Sequence, residues 1–364
     1  LVTSGDLNPF MQARMPGAVN AAVRGDLGPL LRLKRMGDGP PSKVREFSWG
    51  LTVATGCLDA QLPFPLSADP AARAPLADSA LAAIPPASYA PWSTETVKNT
   101  SYADDCLFWP RDDRPRPTRG GLPNVRSLLL AGRLDMRTPV EDAVKVKALL
   151  PRSELVTVPG NGHDQVDSDG TGCVARALER FTARKRVGQP CKGTSNLLRP
   201  IPRAPRTLAE IKAPSSVPGD RGRALLAALR SVEDARFTGL EAVYSGWQPR
   251  GGGLRGGSFS ATDAFSGALT LRDYSYVPGV RVSGRLAVDG PRVSGRITVS
   301  GRVSGTLTLR STTAASGRLG GRDVSYAKGS GASAAAADGD AGAFPAIPRA
   351  LLDPDAARRA ARAR

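Results

Sequence analysis

The chain has 364 residues and a formal net charge of +17, and 41% of its residues are hydrophobic but only 5% are aromatic. This length allows two domains, and the apolar content allows a packed core. The 40 glycines and 31 prolines indicate that part of the chain forms loops, linkers or tails. No apolar run approaches the length of a membrane span, so no such span is expected.

The positive charge comes mainly from arginines that are scattered through every part of the chain. Such a charge can favour nucleic acid, but single-strand binders combine it with aromatic side chains on which bases stack. Because no aromatic platform accompanies the arginines, we expect no nucleic-acid partner.

The chain begins with Leu1-Val2-Thr3, which is neither a methionine start nor the basic and apolar opening of a signal peptide. We therefore expect that the true N-terminus lies outside this sequence.

The first third of the chain carries short, Ala- and Leu-rich helical patterns. The first of these patterns is interrupted at Pro16 and again around Gly25. Residues 46–55 are compatible with a helix end or a short strand, and residues 62–84 contain two Ala-rich helical stretches that end at a Pro-Pro pair. These patterns predict small helices, with a short strand as the alternative at 46–55.

The stretch 125–166 has the strongest pattern in the chain. A short apolar run, 125–131, is typical of a parallel strand that is buried on both faces. Thr138 and Pro139 then open a helix, with Thr138 as a suitable N-cap residue, and the helix places its apolar residues near one face. A second short strand follows at 155–158.

Polar residues follow both of these strands. Asp135 comes after the first strand, and His163, the single histidine of the chain, comes after the second within a Gly-Asn-Gly-His sequence. One helix and one strand fill the 28 residues between them, so both loops are expected at the same edge of a parallel sheet. The carboxylate could then orient the imidazole as a general base. The alternative is that both are unrelated surface residues.

The sequences GRLDMRTP and LPRSELVTVPGNGHD resemble the C-terminal part of an α/β-hydrolase. The closer resemblance is to secreted serine peptidases of the tripeptidyl-aminopeptidase and prolyl-aminopeptidase type. It implies that Asp135 is the acid and His163 the base of a catalytic triad. The nucleophile of that family is a serine in a GxSxG turn that precedes both residues, and no GxSxG occurs in this sequence.

The resemblance implies that residues 1–122 are lid and post-lid segments and that residues 123–191 are the C-terminal hydrolase segment. Within the first part, Asp104 and Asp105 could bind the terminal ammonium group of a peptide substrate, or they could be solvated loop charges. Trp109, in an aromatic-rich patch, could form a wall of the substrate pocket or simply pack in the lid.

The four cysteines form no CxxC pair, so a zinc ribbon is not expected. Three disulfide pairings are possible, and we prefer Cys57 with Cys106 and Cys173 with Cys191, in contexts similar to those of the resembled peptidases. This cysteine use favours an oxidising compartment.

The aspartates that follow His163 (Asp164, Asp167 and Asp169) lack the downstream Glu of a calcium loop, so neither a metal nor a cofactor is expected.

The C-terminal half has a different composition. Residues 192–220 are rich in Pro, Arg and Ser and predict a linker, and one amphipathic helix follows at 221–231. Alternating strands continue to residue 327, with a VSG or SGR phrase about every ten residues whose glycines are expected in turns. We therefore predict a helix plus a β-rich module over 221–327 and a disordered tail over 328–364.

The predicted fold class is α/β: the C-terminal portion of an α/β-hydrolase with lid helices, followed by a linker and a small all-β module. The predicted function is that of a secreted or cell-surface serine hydrolase, an exopeptidase that acts on peptides or small esters and is represented here without its serine. The alternatives are a non-catalytic hydrolase-like remnant that carries a binding module, and an esterase or lipase of the same fold. The sequence does not indicate an oligomeric state.

Overall fold

The computed structural model describes residues 5–39, 48–99, 103–113, 122–166, 168–194, 198–328, 344–345, 347–355 and 357. The chain forms two compact units, one of Leu1–Pro40 with Leu122–Arg364 and the other of Pro41–Gly121. Within the described ranges, every helix is too short or too polar to traverse a bilayer.

The helices are α1 (Pro9–Val23), α2 (Gly28–Gly37), α3 (Trp49–Asp59), α4 (Pro70–Ala82), α5 (Thr94–Lys98), α6 (Ala103–Cys106), α7 (Val140–Leu149), α8 (Cys173–Thr182) and α9 (Gly219–Tyr244). The strands are β1 (Ser127–Gly132), β2 (Ser153–Val158), β3 (Arg250–Gly252), β4 (Ser258–Ala261), β5 (Ser266–Tyr274), β6 (Val280–Asp289), β7 (Arg292–Gly301), β8 (Gly305–Ser311), β9 (Ala314–Leu319) and β10 (Arg322–Ala327).

The unit Pro41–Gly121 is helical and packs around a small core. A disulfide joins Cys57 of α3 to Cys106 of α6, and Phe64 and Leu66 bury their side chains against it. The fully buried Arg73 of α4 donates hydrogen bonds to carbonyl oxygens of the surrounding loops, including that of Leu66. These bonds satisfy the buried guanidinium group and tie the helix to the loops around it.

Helix α1 continues through Pro16, where the sequence predicts a break. Asn8 caps the helix by accepting hydrogen bonds from the amides of Phe10 and Met11. Pro16 has no N–H to donate to the carbonyl group of Gln12, four residues earlier in the helix. Because Pro16 is exposed, water can solvate this carbonyl group instead. The predicted interruption near Gly25 does occur, because Gly25 has a positive φ of 81° just after the helix.

Strands β1 and β2 form a two-stranded parallel sheet in which Ser127 pairs with Ser153 and Gly132 with Val158. Helix α8 covers one face with a small core that includes Val156, Val158 and Val174. The prediction that β1 is buried on both faces is wrong: its first four residues are only half-buried. Within the described residues no strand pairs with the second edge of β1, so this sheet lacks the neighbours that bury a parallel strand.

Helix α9 is longer than the helix predicted over 221–231, and it lies at the centre of the largest core in the described residues. Its apolar residues pack against the inner face of an eight-stranded antiparallel sheet whose strands follow one another from β3 to β10. Buried Val, Leu and Ile residues alternate with exposed residues along each long strand. One sheet face is therefore buried by α9 and the other faces solvent.

The glycines of the repeated VSG phrase are not in turns, contrary to the prediction. Gly284, Gly295 and Gly317 lie inside strands and point towards the buried face. An added Cβ at Gly284 would approach the Cγ2 atom of Ile297 to 3.1 Å, and one at Gly295 would approach Leu286 to 3.0 Å. Gly284 and Gly295 thus leave room for a branched side chain of the neighbouring strand, whereas at Gly317 an added Cβ would meet the backbone of Thr306 and Leu307.

Parts of the predicted linker (192–220) and of the predicted tail (328–364) are packed into the core. Ile201 and Ile211, within the predicted linker, are buried in the core around α9, as are Phe344 and Leu351 of the predicted tail. The scattered apolar residues of these segments pack against α9 and the sheet, although their spacing shows no regular period. Most of residues 328–364 lie outside the described part of the chain.

A buried charged cluster joins α1 and α2 to α9. Asp234 of α9 is fully buried and forms ion pairs with Arg14 of α1 at 2.9 Å and with Arg32 of α2 at 2.8 Å. The Tyr274 hydroxyl donates a hydrogen bond to the same carboxylate at 2.7 Å, and Glu241 lies 3.0 Å from Arg14. Burial raises the pKa of Asp234, but Arg32 and Arg14 outweigh it and hold the pKa below its ordinary value.

Candidate active site

The two parallel strands bring the predicted acid and base loops together. Asp135 follows β1 and His163 follows β2, at the same edge of the sheet. The loops approach so closely that a Cβ on Gly132 would lie 2.1 Å from the carbonyl oxygen of Gly162. Glycine is therefore required at this crossing, and the contact fixes the distance between the loops.

The side chains of Asp135 and His163 form a hydrogen bond. Nδ1 of His163 lies 3.1 Å from Oδ2 and 3.2 Å from Oδ1 of Asp135. An ionised carboxylate only accepts hydrogen bonds, so this geometry places the proton on Nδ1 and leaves the lone pair on Nε2. The Asp135 side chain is 3% exposed and the His163 side chain 37% exposed, so the imidazole can reach solvent.

Three further donors hold the Asp135 carboxylate. The amides of Arg137 and Thr138 donate to Oδ1 at 2.8 and 2.9 Å, and the Thr138 hydroxyl donates to Oδ2 at 2.7 Å. Burial raises the pKa of Asp135, but these hydrogen bonds and the one from His163 outweigh it, so the pKa lies below its ordinary value. The carboxylate is therefore ionised at neutral pH.

The bonds of Thr138 correct its predicted role as a helix cap. Pro139 occupies the N-cap position of α7 and no side chain caps the helix. The Thr138 hydroxyl instead lies 2.7 Å from Asp135 and 3.2 Å from Nδ1 of His163. The apolar face predicted for this helix is also partly exposed, since the exposed fractions of Val144 and Leu149 are 52% and 58%.

Asp6 is a site residue that the sequence pattern does not reveal. Its carbonyl oxygen accepts a hydrogen bond from the His163 amide at 3.0 Å, and its carboxylate accepts from Nε of Arg137 at 3.2 Å. Asp6 therefore contacts both the acid loop and the base loop. Its side chain is 1% exposed, and burial raises the pKa of Asp6 above its ordinary value despite the opposing effect of Arg137.

A cavity of about 210 Å³ lies beside the base loop. Leu7, Leu134 and Leu198 contribute apolar walls, and Asn161 and Ser168 contribute polar groups. The side chains of Asp135 and His163 do not line it, so we assign it no substrate.

The residues predicted to bind substrate lie in the other unit, Pro41–Gly121. Asp104 and Asp105 are exposed, and Asp104 lines a cavity of about 420 Å³ together with Leu62 and Leu81. Trp109 packs instead against the core around the Cys57–Cys106 disulfide. Of the three, Asp104 borders this cavity.

The structure pairs the cysteines as preferred from the sequence, and the second pair supports the site segment. Cys173 at the start of α8 is bonded to Cys191, with a Cα–Cα distance of 5.0 Å.

Asp169, from the acidic run after His163, accepts hydrogen bonds from Thr171 and from the Val174 amide at the N-terminus of α8. Asp167 lies outside the described residues, among which no cluster of three metal-binding side chains occurs.

The site has an acid and a base but no identified nucleophile. The sequence contains no GxSxG, and within the described residues no serine hydroxyl is hydrogen-bonded to His163. The His163 imidazole is oriented by Asp135, and its second ring nitrogen, Nε2, makes no hydrogen bond within the described part of the chain.

Adjacent parallel strands joined by a helix, with an acid after one and a hydrogen-bonded histidine after the next, also occur in α/β-hydrolases, where the acid precedes the histidine along the chain. The family model described as "TAP-like protein" matches residues 91–191, which include Asp135, His163 and the Cys173–Cys191 pair. This segment of the chain is therefore similar to the TAP-like family of α/β-hydrolases.

One curated relative is a probable proline iminopeptidase of Leptolyngbya boryana, which is 28% identical over 82 residues. The alignment covers 22% of this chain and 26% of the relative, so the chain spans about a quarter of the length of that protein. No solved structure matches the chain.

Proposed function

We propose that this chain supplies the acid and base of a secreted serine exopeptidase of the aminopeptidase type, whose nucleophilic serine lies in a part of the protein outside this sequence. The observation that carries the proposal is the Asp135–His163 hydrogen bond, with Nδ1 held by the acid and Nε2 available. The family match and the iminopeptidase relative support the class of hydrolase.

In this proposal the reaction is acyl transfer. The serine attacks the peptide carbonyl while Nε2 of His163 takes its proton, and the imidazolium then protonates the leaving amine. Asp135 keeps the imidazole in the required tautomer and stabilises its positive charge. Water then releases the acyl group by the same sequence, so the proton returns to serine.

Secretion and substrate choice are also part of the proposal. Two disulfides among the described residues support an oxidising compartment. Asp104 is proposed to bind the substrate's terminal ammonium group, because its exposed carboxylate lines a cavity that is mostly apolar apart from Gln61, Asp78 and Lys98. On this basis Asp104→Asn should raise KM for peptides with a free N-terminus and leave KM for N-acetylated peptides unchanged.

The hydrogen bond itself can be tested in this chain, because His163 is the single histidine. The ring Nδ1–H should give one low-field proton NMR signal, which Asp135→Ala should abolish. Asp142→Ala is a matched control, since Asp142 is an exposed acid of the neighbouring helix that pairs with Lys145. Survival of the signal in Asp135→Ala would contradict the proposed orientation of the base.

Activity must be tested in the longest reading frame that contains this sequence. Peptide anilides with free and acetylated N-termini, together with simple esters, separate exopeptidase from esterase activity. Asp135→Asn should lower kcat on the order of 10⁴-fold and His163→Ala by up to about 10⁶-fold, with Asp142→Asn unchanged. Near-normal turnover in either site variant would exclude the assigned role.

The second candidate, a non-catalytic hydrolase-like protein, is favoured by the lack of GxSxG in this sequence. It predicts that the longest reading frame also lacks a serine elbow and has no hydrolase activity, while the NMR signal of the Asp135–His163 pair is still present. The two experiments therefore separate a failed geometry from a failed function.

A further inference from the structure

The solvent-facing side of the eight-stranded sheet is strongly basic. We call this side the basic face, and it carries eight exposed arginines against three aspartates: Arg250, Arg272, Arg281, Arg285, Arg292, Arg296, Arg310 and Arg318, with Asp273, Asp289 and Asp323. The remaining outward positions are Ser, Thr, Ala or Gly. The face is thus an array of guanidinium and hydroxyl groups.

The aspartates do not neutralise the centre of this face. Asp289 pairs in register with Arg292, and Asp323 pairs with Arg318. Asp273 accepts a hydrogen bond from the Ser283 hydroxyl at 3.3 Å. Asp289 and Asp323 therefore lie beside hairpin turns, away from the Arg285–Arg296 pair.

At the centre of the sheet two arginines face each other directly. Arg285 of β6 pairs with Arg296 of β7, and their outer cross-strand neighbours are Thr270 and Thr308. Like charges directly opposite each other on a sheet are destabilising. An antiparallel sheet gains nothing in stability from this pair, which instead suits an anion that binds between the two guanidinium groups.

We propose that the basic face binds an extended linear polyanion with repeating phosphate groups and no aromatic bases. Guanidinium groups bind phosphate oxygens in a bidentate manner, and Ser and Thr hydroxyls add hydrogen bonds to the same oxygens. Neighbouring strands lie about 4.8 Å apart and successive outward positions on a strand about 7 Å apart. An extended phosphate chain that crosses the strands can therefore meet a donor at each step.

The composition of the face selects among polyanions. Single-stranded nucleic acids and sugars are held by stacking on aromatic side chains, and the outward positions supply none. A peripheral membrane surface inserts large apolar side chains, and the apolar outward positions are only alanines, such as Ala268 and Ala287. A phosphate polymer needs neither feature.

The test uses the full chain and inorganic polyphosphate as the probe. Polyphosphate should bind at about 50 mM salt, with an affinity that falls steeply as salt rises. The double variant Arg285→Gln with Arg296→Gln should bind about tenfold more weakly, and the salt slope should fall by about 2. The matched control, Arg152→Gln with Arg186→Gln, removes the same charge from exposed arginines elsewhere and should change binding less than twofold.

Folding does not confound this variant, because removing a like-charge pair should leave the thermal midpoint unchanged or raise it. Equal losses in the double variant and the control would show that net charge alone attracts the polymer and would overturn the proposal. Absence of polyphosphate binding would also overturn it. So would single-stranded DNA or anionic phospholipid vesicles binding more tightly than polyphosphate, since these results would assign the face to nucleic acid or to a membrane.

Discussion

The segment 122–194 and the region built on α9 differ in how completely their side chains are covered. The first has two strands, a small core around α8, and apolar residues such as Val144 and Leu149 exposed on α7. The second buries α9 against an eight-stranded sheet and also buries two carboxylates, Asp234 and Glu241, with their arginine partners. The proposed chemistry therefore lies in the region with the smaller core.

This contrast shows which interactions fix each region. The geometry of the acid and base depends on hydrogen bonds and close backbone contacts, such as that between Gly132 and Gly162. The α9 region depends on a large apolar core and on buried ion pairs. Removing one member of such a pair leaves the other charge buried without compensation, which is strongly destabilising. The predictions below follow from this difference and run from the largest expected effect to the smallest.

The largest effect is expected from Asp234→Ala. The substitution leaves Arg14 and Arg32 without their shared carboxylate in a buried site, which should lower the free energy of unfolding by about 3–5 kcal/mol. Urea unfolding measures this loss. The control is Asp220→Ala on the same helix, because Asp220 pairs at the surface with Arg223 and Arg302 and should matter little. Similar losses in both variants would contradict the structural role of the buried cluster.

A smaller and more local effect is expected when the second disulfide is removed. Cys173→Ala with Cys191→Ala opens a link between residues 18 apart and should cost about 2–4 kcal/mol. Because this pair lies in the small core of the segment 122–194, amide hydrogen exchange should rise in β1 and β2 while β6 and β7 stay protected.

The matched control for this variant is Cys57→Ala with Cys106→Ala, which removes the disulfide of the other unit. It should leave exchange in β1 and β2 unchanged. If the Cys173 and Cys191 variant raised exchange equally in β6 and β7, the two regions would unfold as one and the comparison would fail.

The sequence predicts the parts of the site that depend on local order along the chain. The parallel strands, the helix between them and the meeting of Asp135 with His163 all follow from one βαβ pattern. Asp6 could not be found in this way, because its contacts with His163 and Arg137 bridge more than a hundred residues of sequence and leave no periodic signal. Thr138 was misassigned since a hydroxyl that suits a helix cap equally suits a nearby carboxylate.

The sequence also predicts an antiparallel β region but not what packs on it. Alternation marks the strands, whereas the glycines inside them, such as Gly284, look like turn residues until the facing Ile297 is placed. Asp234 and Glu241 on α9 look like solvent-facing charges, because their partners come from α1 and α2 far away in sequence. Charged residues buried by distant partners break the apolar pattern on which such predictions depend.

Asp6→Asn should loosen the site without a large change in stability. It removes the charged acceptor of Arg137, but burial already disfavours the ionised carboxylate, so the free energy of unfolding at neutral pH should change by less than about 1 kcal/mol. The variant keeps the backbone contact to the His163 amide. The low-field ring proton of His163 should remain but exchange with water several-fold faster, and unchanged exchange would show that the Asp6 side chain does not hold the two loops.

The smallest effect is a pair of opposite changes in the pH dependence of stability. The pKa of Asp135 is lowered in the folded chain, so its stabilising contribution is present above the ordinary pKa of about 3.8 and is lost as the pH falls below it. The pKa of Asp6 is raised, so the folded chain binds this proton more tightly, and stability falls as the pH rises from about 3.8 through the raised value.

The two isosteric variants should therefore change the slope of unfolding free energy against pH in opposite directions. Asp135→Asn removes a positive slope below about pH 3.8, and Asp6→Asn removes a negative slope just above it. Urea unfolding at closely spaced pH values measures both slopes. Changes of the same sign would contradict the structure, because they would mean that Asp6 is stabilised in its ionised form by Arg137 more than burial destabilises it.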